Sequence, residues 1–386
     1  MQGQSMRPNW MDIDLDALEF NYAEIDRRAG PGRQVIAAVK GDAYGHGAVE
    51  VSRALARRGC AAVWTGHVPE ALAIQDARLG LKVILFGGYT ADQIPDLVNA
   101  GLVPTVYDLE GAGAAARAGR GATPVYVKVD SGLGRLGAPL AAARDTIRAM
   151  AALDGLGIDG IYTPLPFGDA TGQAWAVERA TAFGRLLREL ESDGIRPAVT
   201  QLWGSCGLYA GLPDPTNAVC IGHLLYGLTP FPAIAPVAEG FRSTVKTLGS
   251  RLIHVARHPA GAGLAIGGAY ALRNAAAVGV IPMGVSDGLR RLGAHGQPEA
   301  LLRGRRVPVI GTSLEHTVLD LDGIDDPRPG EEVRLVGQDG GERITMADWA
   351  GWMGCSELDA VLGFGGRMER RYDNADEDVW SKFGTR

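Results

Sequence analysis

The sequence predicts an α/β protein with an N-terminal (β/α)8 barrel of the TIM type at residues 11–238. A mostly β domain is expected at residues 239–386, together with an N-terminal strand within residues 1–10. Up to about residue 235, short β-branched runs alternate with Ala-, Leu- and Arg-rich stretches at helical spacing. Beyond that point, short apolar runs are separated by Gly, Pro and Asp turns. The length of 386 residues suits two domains.

A strand at residues 34–39, the first or second of the barrel, and a helix at residues 48–58 are expected. The same alternation then repeats, with strands at 61–64, 82–86, 103–106, 125–129 and 158–162, and helices at 69–77, 90–100, 109–118, 140–152 and 174–193. Roughly eight such units fit a closed barrel of parallel strands. Periodicity alone leaves a doubly wound open sheet as the alternative.

The C-terminal domain is expected to contain short strands at residues 278–282, 306–311 and 332–336. A turn rich in proline and glycine at residues 327–332 separates two of these strands. This spacing is typical of a mostly β domain.

The composition excludes several classes of function. Net charge is −6, from 38 basic and 44 acidic residues, and the basic residues are scattered, so no nucleic-acid partner is expected. No long uncharged apolar run predicts a membrane span, and the first residues do not resemble a signal peptide. The four cysteines form no CxxC pair, so we expect neither a metal site nor a disulfide framework. A cytoplasmic location is predicted.

Lys40 is the strongest candidate for a catalytic residue. It stands at the carboxyl end of a predicted barrel strand, where barrels place their chemistry, and a glycine-rich loop follows it. A lysine at this position can form a Schiff base with an aldehyde cofactor and can act as a general base. An isolated lysine at a strand end is more often a solvated loop residue, so its neighbours decide the interpretation.

Those neighbours resemble a known family. Residues 37–47, AAVKGDAYGHG, resemble the lysine signature of the alanine racemase family, which binds pyridoxal 5′-phosphate (PLP). Further segments at 127–137, 221–230, 284–288 and 311–320 resemble other motifs of that family. The chain is identified as a divergent member. The resemblance implies the barrel and β domain, PLP as cofactor, an amino-acid substrate and a head-to-tail homodimer that shares its active sites.

The resemblance also implies how the cofactor is held. Lys40 would bond covalently to PLP, and Tyr44 would donate its hydroxyl to the cofactor phosphate. Ser205 and the backbone N–H groups around Gly222 and His223 would bind the same phosphate.

Three further residues would lie beside the cofactor and the substrate. Arg135 would bond the side of the cofactor that carries the 3-hydroxyl and would orient the substrate. Lys128, which is commonly carbamylated in the family, would lie beneath Arg135. Cys220 stands where the family has an arginine facing the pyridine nitrogen. A neutral thiol there is expected to make the ring a better electron sink, unless Cys220 is simply a small buried residue.

Other positions depart from the family on the substrate side. Ile266 occupies the place of the catalytic tyrosine that family members contribute to the partner subunit's site, and isoleucine carries no ionisable group. Tyr270 matches a later, non-catalytic tyrosine, and Leu314-Glu315 replaces a Met-Asp pair. The substrate-binding candidates are therefore Arg135, Ile266, Tyr270, Leu314 and Glu315. An apolar pocket is expected from Trp203, Ile266, Leu314 and Leu358.

Three functions follow from this pattern. The favoured one is chemistry at the α-carbon of an amino acid with Lys40 as the single base, of the decarboxylase, aldolase, lyase or transaminase type. The second is an amino-acid racemase or epimerase with a non-standard second base, such as Tyr270, His316 or a water molecule. The third is a catalytically inactive PLP-binding protein. No sequence feature specifies the substrate side chain.

Overall fold

The computed structural model describes residues 7–119, 121–231, 238–290 and 295–373. The chain divides into two compact units. One unit, the barrel unit, contains residues 18–43 and 47–242. The other, the β-rich unit, contains residues 1–17, 44–46 and 243–386.

The barrel unit is built on parallel strands that close on themselves. Within the described residues, eight strands pair in a ring, and the pairing of Val103–Val106 with Thr123–Asp130 completes the closure. The closed barrel predicted from the sequence is confirmed, and the doubly wound alternative is wrong. The strands are Gln34–Ala38, Ala62–Thr65, Lys82–Leu85, Val103–Val106, Thr123–Asp130, Leu156–Tyr162, Val199–Gln201 and Ala218–Ile221, with the short strand Ala138–Pro139 beside the fifth.

Helices follow most of these strands and begin at residues that suit a helix start. Asp108 and Asp169 accept hydrogen bonds from the N–H groups of Gly111 and Gly172 at 2.8 and 2.7 Å, which satisfies the first turn of their helices. The helices are Leu15–Ala29, Ala48–Arg57, Val68–Asp76, Ile94–Asn99, Leu109–Ala118, Ala143–Ala151, Ala170–Ser192 and Ser205–Tyr209, with 3-10 turns at Ala91–Gln93 and His223–Tyr226.

The two faces of each barrel strand differ in what they contact. Along Thr123–Asp130, Val125, Val127 and Val129 belong to the apolar core that the outer helices also line. Because side chains alternate along a strand, Lys128 lies on the opposite face, inside the barrel. The Lys128 side chain therefore enters the barrel interior near the carboxyl end of its strand.

The β-rich unit centres on a ten-stranded sheet of the described residues. The N-terminal strand Trp10–Asp14 pairs antiparallel with Val245–Arg251 and parallel with Glu369–Asp373. The remaining strands of this sheet are His254–His258, Ala276–Ile281, Glu299–Leu302, Arg305–Thr312, Thr317–Asp320, Glu332–Asp339 and Glu342–Ile344. The predicted mostly β character is confirmed.

Several smaller elements complete the β-rich unit. Strands Gly263–Leu264 and Tyr270–Ala271 form a separate hairpin, with a 3-10 turn at Ile266–Gly268 between them. Another 3-10 turn covers Val285–Asp287, and two helices cover Met346–Met353 and Glu357–Gly365. Among the described helices, none is both long and apolar enough to cross a membrane.

Candidate active site

Lys40 begins a left-handed turn immediately after the first barrel strand. The φ angles of the next residues are +63° at Gly41, +52° at Asp42, +54° at Ala43 and +55° at Tyr44. Only glycine adopts this conformation freely, and each other residue costs about 1–2 kcal/mol. The fold therefore stores strain next to Lys40, as functional sites often do.

Hydrogen bonds hold this turn in place. The N–H of Ala43 donates to the carbonyl of Val39 at 2.8 Å, and the N–H of Asp42 donates to Glu70 Oε1 at 2.9 Å. The carboxylate of Asp42 accepts from the N–H of Ala48 at 2.8 Å, which joins the turn to the following helix. These contacts fix the direction in which Lys40 leaves the strand.

The amine of Lys40 lies in a cationic environment. Its side chain is accessible to solvent, yet the surrounding protein excludes enough water to lower the pKa of the amine. The positive charge of Arg135 lowers this pKa further. A lowered pKa increases the neutral fraction of the amine, which is the form that attacks an aldehyde or accepts a proton.

Lys128 and Arg135 lie in the same environment. Lys128 is buried, and burial together with the charge of Arg135 lowers the pKa of its amine to about 8. Asp130 opposes this effect, and Lys40 adds to it. Three cationic side chains therefore share the site, which suits anionic ligands such as a phosphate or a carboxylate.

Cys220 lies on the last barrel strand and is buried. Burial raises the pKa of its thiol, and the charge of Lys40 offsets only part of that effect. The thiol is therefore neutral near pH 7. A buried, neutral thiol agrees with both roles that the sequence left open, a residue facing the pyridine nitrogen and a small residue of the core.

An aromatic group that the sequence analysis did not select adjoins Lys40. Lys40 Nζ lies 5.9 Å from the centre of the Phe86 ring. Trp64 packs edge-to-face against Phe86 and Tyr162, with ring centres 5.3 and 4.7 Å apart. The alternation of side chains along the strands could have indicated this aromatic group, because Trp64 and Tyr162 occupy interior positions near the ends of their strands.

Ser205, Gly222 and His223 lie on neighbouring segments of the barrel. The hydroxyl of Ser205 accepts from the N–H of Leu224 at 3.4 Å, in the 3-10 turn that begins at His223. Burial and the charge of Lys40 lower the pKa of His223 to about 4, so its ring is neutral near pH 7. A Cβ at Gly204 would meet the carbonyl of Cys220 at 3.2 Å, so the two segments approach closely.

Tyr44 belongs to the β-rich unit, together with Gly45 and His46. It is buried, and its carbonyl bonds Nδ1 of His46 at 3.0 Å. Nε2 of the same ring bonds the hydroxyl of Thr244 at 2.7 Å. Both ring nitrogens of His46 are thus engaged in structural contacts.

The substrate-side candidates also lie in the β-rich unit. Ile266 and Leu314 are 73% and 65% exposed, which is unusual for large apolar side chains. Ala265, the residue before Ile266, has φ +62° and ψ −176°, a region that glycine alone adopts without strain. The backbone is therefore strained where it presents Ile266 to solvent.

Tyr270 and Glu315 are engaged by other side chains of this unit. The Tyr270 hydroxyl donates to Asp320 Oδ2 at 2.7 Å, and burial with this carboxylate raises its pKa to about 12. Glu315 accepts from Arg7 at 2.5 Å and from Arg367 at 3.4 Å, and these bonds lower the pKa of its carboxyl.

The prediction that Trp203 lines an apolar substrate pocket is wrong. Trp203 lies in the apolar core between the barrel strands and their helices, where its ring packs edge-on against Phe167. Its Nε1 donates to the carbonyl of Pro213 at 2.9 Å. The strand ends at Gln201, so alternation no longer determines where Trp203 points.

Both units of the chain are similar to domains of one known protein family. Residues 13–230 match the alanine racemase N-terminal domain, and residues 245–372 match the alanine racemase C-terminal domain. The alanine racemase of Thermodesulfovibrio yellowstonii is 32% identical over 378 residues, covering 95% of this chain and 98% of that protein. That of Methanococcus maripaludis is 29% identical over 371 residues, with the same coverage of 95% and 98%. The solved alanine racemase of Streptomyces coelicolor A3(2) is 28% identical, with a TM-score of 0.85, covering 96% of this chain and 99% of that chain.

The barrel, the Lys40 turn and these matches define the chain as a PLP-dependent enzyme. It belongs to the alanine racemase family.

The residues around Lys40 fit PLP. The cofactor presents an aldehyde and a phosphate, which require an amine of lowered pKa and hydroxyl or N–H donors. Lys40 offers such an amine, and the cationic pair Lys128 and Arg135 favours an anionic ligand nearby. Among the described residues, no group of side chains suited to a metal ion is found.

Proposed function

We propose that this enzyme acts at the α-carbon of an amino acid with Lys40 as its single base, and that it is not a two-base racemase. Bound PLP supplies an electron sink for the negative charge that develops at the α-carbon. The observation that carries the proposal is the lowered pKa of Lys40 at the start of a strained turn, where its amine faces the barrel site. Its amine is poised to accept or return a proton on one face of the substrate.

The anchoring roles proposed for the other residues follow from their chemistry. Ser205 and the backbone around Gly222 and His223 would bind the cofactor phosphate, and the buried Tyr44 would add a hydroxyl donor. Arg135 would bind the substrate carboxylate or the cofactor hydroxyl, since a guanidinium suits both.

Neither Ile266 nor Tyr270 is suited to act as the second base. Ile266 cannot exchange a proton at any pH, and Tyr270 already donates its hydroxyl to Asp320. The raised pKa of Tyr270, about 12, leaves little phenolate at neutral pH to accept a proton. We also propose that the surface facing the substrate is apolar on one side. The exposed side chains of Ile266 and Leu314 would form that surface in the site of a partner subunit.

Racemisation is the second candidate function, and one observation favours it. Relatives that are 29% and 32% identical to this chain carry the name alanine racemase. His316, which is exposed, or a water molecule would then provide the second base.

The test begins with the cofactor. Purified protein should show a visible absorption band near about 420 nm that borohydride abolishes, and Lys40→Ala protein should lack it. Retention of the band in Lys40→Ala would overturn the proposed role of Lys40. A panel of L- and D-amino acids is then incubated in D₂O with PLP-loaded protein. We expect deuterium at the α-carbon, or loss of an α-substituent, with one enantiomer only.

Labelling of both enantiomers together with their interconversion would contradict the single-base proposal and favour racemisation. In that case His316→Gln and Tyr270→Phe separate the two side-chain candidates. The single-base proposal predicts that Tyr270→Phe keeps the exchange reaction, because the hydroxyl serves Asp320.

A further inference from the structure

The strained turn that carries Lys40 donates a hydrogen bond to a side chain outside the turn. The N–H of Asp42 donates to Glu70 Oε1 at 2.9 Å. The other carboxylate oxygen of Glu70 accepts from the hydroxyl of Thr65 at 2.7 Å, and the ring of His67 lies 3.2 Å from Oε1. The Glu70 side chain is only 14% exposed, so these bonds are largely shielded from water.

We infer that Glu70 is a positioning residue, which holds the left-handed turn in the form that presents the Lys40 amine to PLP. This inference rests on the proposed role of Lys40 and deepens it. Glu70 acts through the backbone of Asp42 and not by contact with the reacting atoms.

The turn needs such support because its sequence does not favour its conformation. Gly41 adopts a positive φ freely, but Asp42 and Ala43 at φ +52° and +54° do not. Hydrogen bonds to the backbone must therefore offset the strain. Glu70 supplies one of them at Asp42, two residues after Lys40.

Glu70 also ties the turn to the neighbouring strand. Thr65 ends the strand Ala62–Thr65, which pairs in parallel with the strand that leads to Lys40. The N–H of Val39 donates to the carbonyl of Trp64 at 2.9 Å, so the two strand ends are already in register. Glu70 stands in the first turn of the helix Val68–Asp76, where a carboxylate is favoured. The Glu70 carboxylate therefore connects the turn to the end of the strand Ala62–Thr65 and to the start of the helix Val68–Asp76.

The test compares three variants in full-length protein. Glu70→Ala removes the acceptor, Glu70→Gln keeps an oxygen acceptor without charge, and Asp214→Asn is the matched control. Asp214 is also a buried carboxylate, since its side chain is 2% exposed and pairs with Arg33 at 3.0 Å. It precedes the last barrel strand, so it lies at the opposite end of the barrel from Lys40.

Two quantities are measured for each variant with PLP as the probe. The first is the dissociation constant of PLP, and the second is the midpoint of the pH titration of the visible band. Glu70→Ala should weaken PLP binding by about 10- to 100-fold and shift that midpoint, because a backbone donor loses its acceptor. Glu70→Gln should restore both values to within about threefold, since its amide oxygen accepts the same bond.

The outcomes separate this inference from a general loss of stability. If Glu70→Ala leaves both quantities unchanged, or if Asp214→Asn changes them equally, the positioning role is overturned. Failure of Glu70→Gln to restore them would also overturn the proposed hydrogen-bonding role. A Lys40→Ala protein that keeps the visible band would overturn the proposed function instead, so the two failures are distinguishable.

Discussion

At the scale of single residues, the site combines cations that repel one another. Burial and the charge of Arg135 lower the pKa of both Lys40 and Lys128, and the charge of Lys40 lowers that of Lys128 further. A protein tolerates such a cluster when a ligand or a modification brings negative charge to it. The cofactor phosphate and the substrate carboxylate are two such sources. Family resemblance points to a third, a carbamate on Lys128.

We predict that Lys128 is carbamylated. Only a neutral amine reacts with carbon dioxide, and the pKa of about 8 leaves a useful neutral fraction of Lys128 near pH 8. The resulting negative charge would turn the repulsion from Arg135 into attraction. Protein equilibrated with ¹³C-bicarbonate should show a carbamate resonance by ¹³C NMR that Lys128→Met protein lacks. Lys82→Met is the matched control, because Lys82 is an exposed lysine paired with Asp159. A resonance that survives in Lys128→Met would refute the assignment.

The residues that sequence reasoning missed share one physical property, which is that their partners are distant in sequence. Lys40 stood out because its own loop is distinctive, whereas Glu70 acquires its role from a bond to a segment in a different βα unit. Nothing local marks such a residue. The prediction for Trp203 was wrong for a related reason, because the direction of its side chain depends on the segment after the strand.

At the scale of elements, alternation and helical spacing predicted the barrel well. The strand Val103–Val106 and the helix Leu109–Ala118 have the predicted bounds, because their apolar residues follow one period throughout. The helix expected at residues 174–193 instead begins at Ala170, since Asp169 caps it. The left-handed turn at Lys40 could not be predicted, because Asp42 and Ala43 ordinarily avoid positive φ.

The helix Glu357–Gly365 supports a prediction about stability. Burial raises the pKa of Glu357 at its first position from 4.5 to about 7. A carboxyl with a raised folded-state pKa binds more protons in the folded than in the unfolded protein between those values. Stability is therefore lost as pH rises from about 4.5 through about 7. Replacing Glu357 with Gln should raise the free energy of unfolding at pH 8 by about 1–3 kcal/mol and change it little at pH 4.5.

Urea unfolding at the two pH values measures this difference. Glu110→Gln is the control, because Glu110 is an exposed glutamate in the first turn of a barrel helix. An equal gain at both pH values, or an equal gain from Glu110→Gln, would show that burial of Glu357 is not the cause.

At the scale of the whole molecule, the barrel unit and the β-rich unit contribute different kinds of residue. The barrel unit carries Lys40 and its cationic neighbours, all of which suit the cofactor. The β-rich unit carries exposed apolar side chains on a strained turn and an adjacent loop. Gly284 shows how tightly that loop is built, because a Cβ there would lie 2.5 Å from the carbonyl oxygen of Leu314. Exposed apolar groups on a rigid frame are typical of surfaces that become buried by association.

We predict a homodimer that buries Ile266 and Leu314 against a second copy of the chain. These side chains are 73% and 65% exposed in the single chain, so association removes apolar surface from water. Leu314→Glu places a charge in that surface and should weaken self-association at least about tenfold, because a desolvated unpaired charge is costly. Light scattering across a dilution series at micromolar concentrations measures the effect. Leu109→Glu is the matched control, since Leu109 is 50% exposed on a barrel helix and should leave association unchanged. A monomer at all concentrations would rule out the assembly, and equal weakening by both variants would place the interface elsewhere.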